Sequence, residues 1–429
     1  VGLGSAWGQD QQPATGTSQT ASEQASQPAQ KQPQWKDRAE YDLVQSALKE
    51  TNPQKKLELL NQWKEKYPET DFKEMRLEAY IDTYQALNQR DKMFDTAKEL
   101  LALNPKSLKA LYWISVLSVP GQTSPEGLDL AQKAANGLLD AEKPAQVPQA
   151  QWDQSQAQMA VVAHRTLGWV AMQRKDYANA QKEFTAELKA HPGDSEAVYW
   201  LASVLRSEAE AEKKPELFTQ ALFFFARAAA YDGSGSFDPT RRKQLEGWLQ
   251  KAYTTYHGED AQGFQQLLAT AKTDSFPPEG FKILSAAEVT QQRLEQLKET
   301  NPAMALWVIV KQELTGSGGD SYFNDRMKGA LVPPEGQPAF KAKIVSQEPA
   351  RAPKVLVVSI EDGKTPDATL RLDTPMLRPA EPGTEISFRG VATSFTAQPF
   401  MVTFEVDRKN VTGWPAPPPA RRPPVHRSK

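Results

Sequence analysis

Between residues 161 and 194 the sequence reads VVAHRTLGWVAMQRKDYANAQKEFTAELKAHPGD, and its small and large residues fall at spacings that few folds satisfy. Leu167-Gly168, Tyr177, Ala180, Phe184 and Pro192 all lie within this stretch of about 34 residues. Gly168 and Ala180 are small where two antiparallel helices must cross closely. Leu167, Tyr177 and Phe184 are large enough to fill the space around that crossing. Pro192 ends the second helix and starts the turn to whatever follows. A second copy comes directly after, with Leu201-Ala202 in the Leu-Gly place and Ala221, Phe225 and Ala228 repeating the second-helix spacing. Between its halves the charged stretch from Glu208 to Pro215 reads as a longer loop, and the unit closes at Gly233. One such helix pair cannot cover its own apolar face, so the pairs are expected to stack.

This arrangement resembles the tetratricopeptide repeat family. Residues 161–234 carry the resemblance, and residues 37–143 carry it more faintly through Leu60, Trp63 and Pro68, then Phe94, Ala97 and Leu101. Two positions depart from the pattern: His164 stands where an aromatic is usual, and Glu187 where alanine is usual. The resemblance implies a right-handed superhelix whose concave face, built from the first helix of each pair, holds a partner peptide or helix. Some members clamp a C-terminal carboxylate with basic residues and asparagines on successive first helices. Arg165 would serve as one basic position, but Trp169 and Trp200 occupy the asparagine places, so the clamp is not carried over. The wider layout also resembles exported bacterial proteins that join such repeats to a C-terminal β domain.

Outside the repeats, apolar spacing of three and four runs from Trp35 to about Gly316, as in Leu57, Leu60, Trp63 and Tyr67. Asn-Pro at 52–53, 104–105 and 301–302 marks expected helix starts, since asparagine caps free amides and proline fits the first helical position. Near residue 338 the period changes from helical to alternating. Phe340, Ala342 and Ile344 alternate with Lys341 and Lys343, and β-rich runs follow at 355–360, 369–372, 385–391 and 400–406. The expected fold is therefore multidomain: an all-α superhelix over 35–316, a linker over 317–337, and a small all-β barrel or sandwich over 338–414. Met304 to Val310 reads as a buried helix, with Leu306, Ile309 and Val310 inward.

The ends differ in composition. Residues 1–34 begin at Val1 and run into a Gln-, Ser- and Pro-rich stretch with no large apolar residue between Gln9 and Trp35. Ala6 and Gly8 sit as small residues do before a signal-peptidase cut. The expectation is a signal-peptide remnant and a disordered linker, hence export to the periplasm or cell envelope; the alternative is a cytoplasmic protein. Residues 415–429 form a Pro-rich basic tail.

Charge and chemistry-bearing residues narrow the function. Lys plus Arg is 51 and Asp plus Glu is 53, a formal net charge of −2. Over 338–414 there are 10 basic and 9 acidic residues. Neither balance suits nucleic acid as the main partner. With no cysteine, thiol chemistry and zinc–thiolate sites are excluded. No apolar run reaches the roughly 18 residues of a membrane span. The four histidines are scattered, His164 on a packing face and His257 beside Gly258 at an expected helix end. Asp232 to Asp238 has the oxygen spacing of a calcium loop, but Phe237 replaces the turn glycine and Lys243 the closing glutamate. Gly316 to Asp320 lacks the Gly-Lys-Ser/Thr of a phosphate cradle, and no metalloprotease or nucleophile-elbow motif is present. The expectation is a non-enzymatic scaffold with no catalytic residue, metal or cofactor. Its partner would be a protein or peptide. The alternative function is glycan binding on an OB-like β domain. For the scaffold, the groove residues are Arg165, Trp169, Tyr199 and Arg206, spaced along the face that each first helix leaves over after packing; the competing reading is that Trp169 packs against the neighbouring repeat.

Overall fold

The computed structural model describes residues 33–415. The expected signal-peptide remnant, most of the linker after it and nearly all of the basic tail therefore lie outside the described residues. Two compact units divide between Ile283 and Leu284.

The first unit is all α. Five helix pairs follow one another: α1 (Arg38–Lys49) with α2 (Pro53–Lys66), α3 (Lys73–Ala86) with α4 (Arg90–Leu103), α5 (Leu108–Ser118) with α6 (Pro125–Leu139), α7 (Gln149–Gln173) with α8 (Tyr177–Ala190), and α9 (Ser195–Glu212) with α10 (Pro215–Ala230). Then α11 (Pro239–His257) and α12 (Ala261–Thr273) both pack on α10. This is a tetratricopeptide-like superhelical array. Its crossing is as tight as the small residues require: a Cβ on Gly168 would lie 2.6 Å from the Phe184 ring. Ala180 and Phe184 are fully buried. The hinge inside a pair also repeats. Asn88, Lys175 and Lys213 take positive φ of 53°, 59° and 55°, each between the two helices of one pair. A left-handed lysine costs roughly 1 kcal/mol, so the stacking imposes this turn on whichever residue stands there.

Three local expectations are corrected. The charged stretch after Glu208 is not a loop: α9 runs through Glu212, because alternating Glu and Ala are good helix formers and only Lys213-Lys214 intervenes before Pro215. Asn104 does not open a helix. It closes α4, its side chain accepts from Lys106 N, and α5 is capped instead by the Ser107 hydroxyl. The first helix of the 161–194 unit begins at Gln149, since nothing between Pro148 and Lys175 interrupts it.

After α12 the chain turns back, and Phe276 and Phe281 set their rings against Phe224 and Phe223 at 5.9 and 5.1 Å. Arg227, buried in α10, fastens this end. Its guanidinium donates to the carbonyls of Ala271 and Lys272, the last turn of α12, and to that of Pro192.

The second unit holds α13 (Ala286–Thr300), α14 (Pro302–Thr315), a short turn of helix (Gly319–Tyr322) and one curled eight-stranded sheet, a half-barrel. Its strands are β1 (Leu331–Val332), β2 (Phe340–Glu348), β3 (Val355–Ser359), β4 (Ala368–Leu372), β5 (Glu385–Phe388), β6 (Gly390–Ala397), β7 (Phe400–Val406) and β8 (Val411–Thr412), in the order β1-β6-β7-β4-β3-β2-β5-β8. All neighbours are antiparallel except β4 and β7. The single run read at 385–391 is two strands, split at Arg389: β5 pairs with β2, and β6 with β7. Gly390 permits the corner, because a Cβ there would meet Val406 and Phe404.

The helices expected to flank the repeats, α13 and α14, belong to this second unit. Hydrophobic period reports secondary structure and not what a helix packs against. The inward stripe of α14 is Ala303, Trp307, Val310 and Leu314, as expected for Val310; Leu306 packs half-buried at the edge of that core and Ile309 is half-buried. Trp307 is fully buried against Phe340, Phe400 and Phe404, and its Nε1 donates to Asp367 at 3.2 Å. The Asp367 carboxylate also accepts from Ile360 N and Glu361 N.

A fragment beginning at Leu284 should therefore unfold in one cooperative thermal transition. A fragment of 337–414, lacking Trp307, should lose that transition or melt at least 10 °C lower, since removing a buried tryptophan costs about 3–5 kcal/mol. Circular dichroism melts of the two fragments check this; equal melting temperatures would count against α14 as part of the core.

Candidate functional site

The face left over by the first helices α7, α9 and α11 is the candidate site, and its residues fall into two groups. The first group is buried apart from the half-exposed Arg165. Asp194 caps α9, with Oδ1 accepting from Glu196 N and Ala197 N at 3.0 and 3.1 Å. Its Oδ2 accepts from the Arg165 guanidinium, which lies 5.1 Å above the Trp200 ring. Trp200 in turn touches Trp169 at 5.2 Å and Phe184 at 5.7 Å. Trp169 is only 8 % exposed and donates from Nε1 to the Gln122 carbonyl at 3.1 Å. Arg165 and Trp169 thus join α7 to α9 and to the α5–α6 loop.

Beneath this group lies Glu187 of α8, in the place where the repeat pattern has alanine. It is 0 % exposed, and no donor reaches either carboxyl oxygen among the described residues, so that its only polar neighbour of this kind is the Asp194 carboxylate, to which the protonated acid can donate. Burial first, and the nearby Asp194 carboxylate second, push its pKa up to about 9, while Arg165 pulls the other way. At neutral pH Glu187 is therefore a neutral carboxylic acid. His164 is engaged as well, with Nδ1 2.7 Å from Glu183 Oε2.

The second group is half-buried, with Trp248 exposed. Tyr199, half-buried on α9, packs edge-on to Phe225 at 5.6 Å and Phe237 at 6.3 Å. Arg241 of α11 lies 3.6 Å over Phe237 and 5.7 Å over Tyr199, and bonds Glu196 through both Nη atoms. Arg206, two turns along α9 from Tyr199, stands 5.8 Å over Trp248 and 3.7 Å from Glu210. Trp248 packs on Phe225 at 4.7 Å yet remains 37 % exposed. Phe225 therefore ties Tyr199, Trp248, Arg206 and Arg241 into one aromatic and guanidinium surface.

Of the four groove residues named from sequence, Tyr199 and Arg206 share this surface; Trp169 is buried, and Arg165, half-exposed, is engaged by Asp194 and the Trp200 ring instead. Trp248 and Arg241 were missed. Their helix carries no Leu-Gly or Ala-x3-Phe signal, so its face had no frame to be read in; the only available hint was an isolated tryptophan in a polar helix.

The other sites considered fall where chain chemistry puts them. His257 lies at the C-terminus of α11, 3.4 Å from Asp260, and Gly258 follows with φ +100°. Among the described residues no group of three or more His, Cys, Asp or Glu side chains is arranged to hold a metal ion. In the second unit, the large aromatics Trp307, Phe340, Phe388 and Phe404 are interior.

No protein-family model and no curated protein matches this chain. A solved structure described as the functional characterization of Pseudomonas aeruginosa pilF is similar to it at 15 % identity with a TM-score of 0.32, over 62 % of this chain and 92 % of that one. So loose a superposition fixes neither fold nor function; the tetratricopeptide-like character rests on the helix pairing and the Gly168–Phe184 crossing.

Glu187 makes the fold sensitive to alkali. Unfolded, it ionises near 4.5; folded, only near 9. The native state thus disfavours the charged form. Stability is intact below about pH 4.5 and falls as pH rises toward 9, by up to about 1.4 kcal/mol per pH unit. Glu187→Gln should match the parent at pH 4.5 and exceed it increasingly from pH 6 to 9 in urea denaturation. Parallel pH profiles for the two proteins would refute the buried-acid assignment.

Proposed function

We propose that the helical unit is a non-catalytic scaffold that binds a segment of another protein on the surface formed by Tyr199, Arg206, Arg241 and Trp248. The observation that carries the reading is Trp248: a large ring held between Phe225 and a guanidinium, yet 37 % exposed. Tryptophan, tyrosine and arginine combine large contact area with a polar handle and dominate binding hot spots. The rings here are fixed by their own packing, so little side-chain freedom would be lost on binding. Supporting a scaffold over an enzyme, Glu187 and Asp367, two fully enclosed acids whose pKa burial raises, are held in packing.

Glycan binding by the second unit is the weaker reading: Trp307, Phe340, Phe388 and Phe404 are interior, and Tyr322, Phe395, Phe400 and Trp414, though partly exposed, have their rings packed against that core. Residence in the cell envelope rests on Ala6 and Gly8 and the composition after them. No described helix is long and apolar enough to cross a membrane.

The test is affinity capture from the native source with the full chain and with Trp248→Ala/Arg206→Ala. The double variant should retain at least tenfold less of the captured partner while its helical spectrum is unchanged. Trp169→Ala, by contrast, should destabilise by about 3–5 kcal/mol, as loss of a core tryptophan does. Undiminished capture by the double variant would remove this surface from consideration.

A further inference from the structure

The segment that follows α12 is seated on α10, and its seat is separate from the surface above. α10 repeats the second-helix spacing of α8, with Ala221 for Ala180 and Phe225 for Phe184. The two positions before that phenylalanine are Lys182 and Glu183 in α8, which pair with each other at 3.3 Å. In α10 they are Phe223 and Phe224, 0 % and 4 % exposed. Pairing within a repeat does not require aromatics at these places, since α8 does without them. Each of the two instead carries a ring of the strap Phe276-Pro-Pro-Glu-Gly-Phe281. Phe281 meets Phe223 edge-on at 5.1 Å, and Phe276 meets Phe224 edge-on at 5.9 Å.

The strap is held there by its rings rather than by its backbone. Among the described residues no backbone hydrogen bond joins 275–281 to a helix; the one such bond the segment makes is internal, Phe281 N to Pro278 O at 3.0 Å. Pro277 and Pro278 have no N–H to give. Gly280, at φ +73°, closes the turn and returns Phe281 toward the helix that Phe276 touches. The ends are fixed: Asp274 N donates to Thr270 O at 2.9 Å, and Ile283 is buried in the core. Between them Phe276 and Phe281 stay half-buried, and a solvent-open cleft lies beside them, bordered by Leu201 and Leu205 of α9 and Gln181 and Thr185 of α8. A segment with half-exposed rings and no backbone ladder belongs to the part of a fold that opens most readily.

We propose that Phe223 and Phe224 form a second peptide-binding site, which the strap fills as an intramolecular ligand. When the strap lifts, the site takes a segment of a partner protein with the same chemistry, Phe-Pro-Pro-x-Gly-Phe. The seated strap defines that chemistry: two rings five residues apart, with prolines and a glycine that preset the turn between them, so little order is lost on binding. Glu279 is exposed, so its position is free to vary. A second Pro-Pro-Glu-Gly, at 333–336, lacks both rings: Val332 and Gln337 stand in their places. That sequence separates the contribution of the turn from that of the phenylalanines.

The test is fluorescence anisotropy with a labelled peptide of residues 274–283 and the full chain. Phe276→Ala/Phe281→Ala empties the seat and should bind the peptide saturably, at least tenfold tighter than the parent, whose seat is filled. Pro277→Gly/Pro278→Gly, which keeps the rings but slackens the turn, should fall between the two. A peptide of residues 330–339, with the turn and without the rings, should bind the Phe276→Ala/Phe281→Ala chain at least tenfold more weakly. Loss of the helical circular dichroism spectrum in that variant would make the rings part of the fold and overturn the proposal. So would an unchanged spectrum without peptide binding, equal binding by the parent, or equal binding of the 330–339 peptide.

Discussion

The close approach of α7 and α8 at Gly168 is the constraint from which most of the helical unit follows. With no Cβ at Gly168, the Phe184 ring can enter the crossing and be fully buried. The ring then meets Trp200 of the next pair, Trp200 meets Trp169, and its face receives the Arg165 guanidinium. Arg165 in turn holds Asp194, the residue that starts α9. A single missing side chain thus reaches, through four contacts of named residues, to the point where the next first helix begins. Because α9 starts there, Tyr199 and Arg206 emerge on its outer face and Leu201 and Leu205 on its inner one. Packing and candidate site are consequences of one register.

What could be read from the sequence follows from which interactions are local. The pairing of α7 with α8 was legible because Gly168, Ala180 and Phe184 meet within a short span, where spacing alone tells which residues touch. The alternation of Phe340, Ala342 and Ile344 with Lys341 and Lys343 was legible for the same reason, and the strand has that burial. What could not be read depends on distant partners. Trp307 looks like any apolar helix residue until Asp367, sixty positions later, accepts from its indole. Trp169 offered a hot-spot residue on a free face, but the free face is closed by Gln122 from an earlier loop. Lys213 carries no sign of its left-handed backbone, since the turn is set by where the two helices must pack.

The two units resolve their buried polar groups in opposite ways. Asp367 is buried, and burial raises its pKa, but two backbone amides and the Trp307 indole donate to it and offset part of that rise. Such a network fixes one arrangement of α14 on the sheet, because shifting the helix would strand a buried polar acceptor. Glu187 has no such donors. Its neighbour Asp194 already serves Arg165 and the first turn of α9, so its carboxylate repels a second negative charge. Protonation is what makes the position tolerable, and the repeat is held at the expense of alkaline stability.

Glu187 and Gly247 are both departures from what a stable helical array would choose, and their surroundings separate their meaning. A buried acid enclosed by α8, Asp194 and Arg165 has no route to a ligand, so its effect is confined to the folding equilibrium. A glycine facing open solvent has no internal neighbour that its smallness serves. In a stacked array every first helix must spend one face on its own pair and another on the next pair. α11 makes no tight pair with α12, since both helices pack on α10 instead. Its two flanks are therefore the part of the helical unit least committed to packing. It is on those flanks that Trp248 and Gly247 stay exposed.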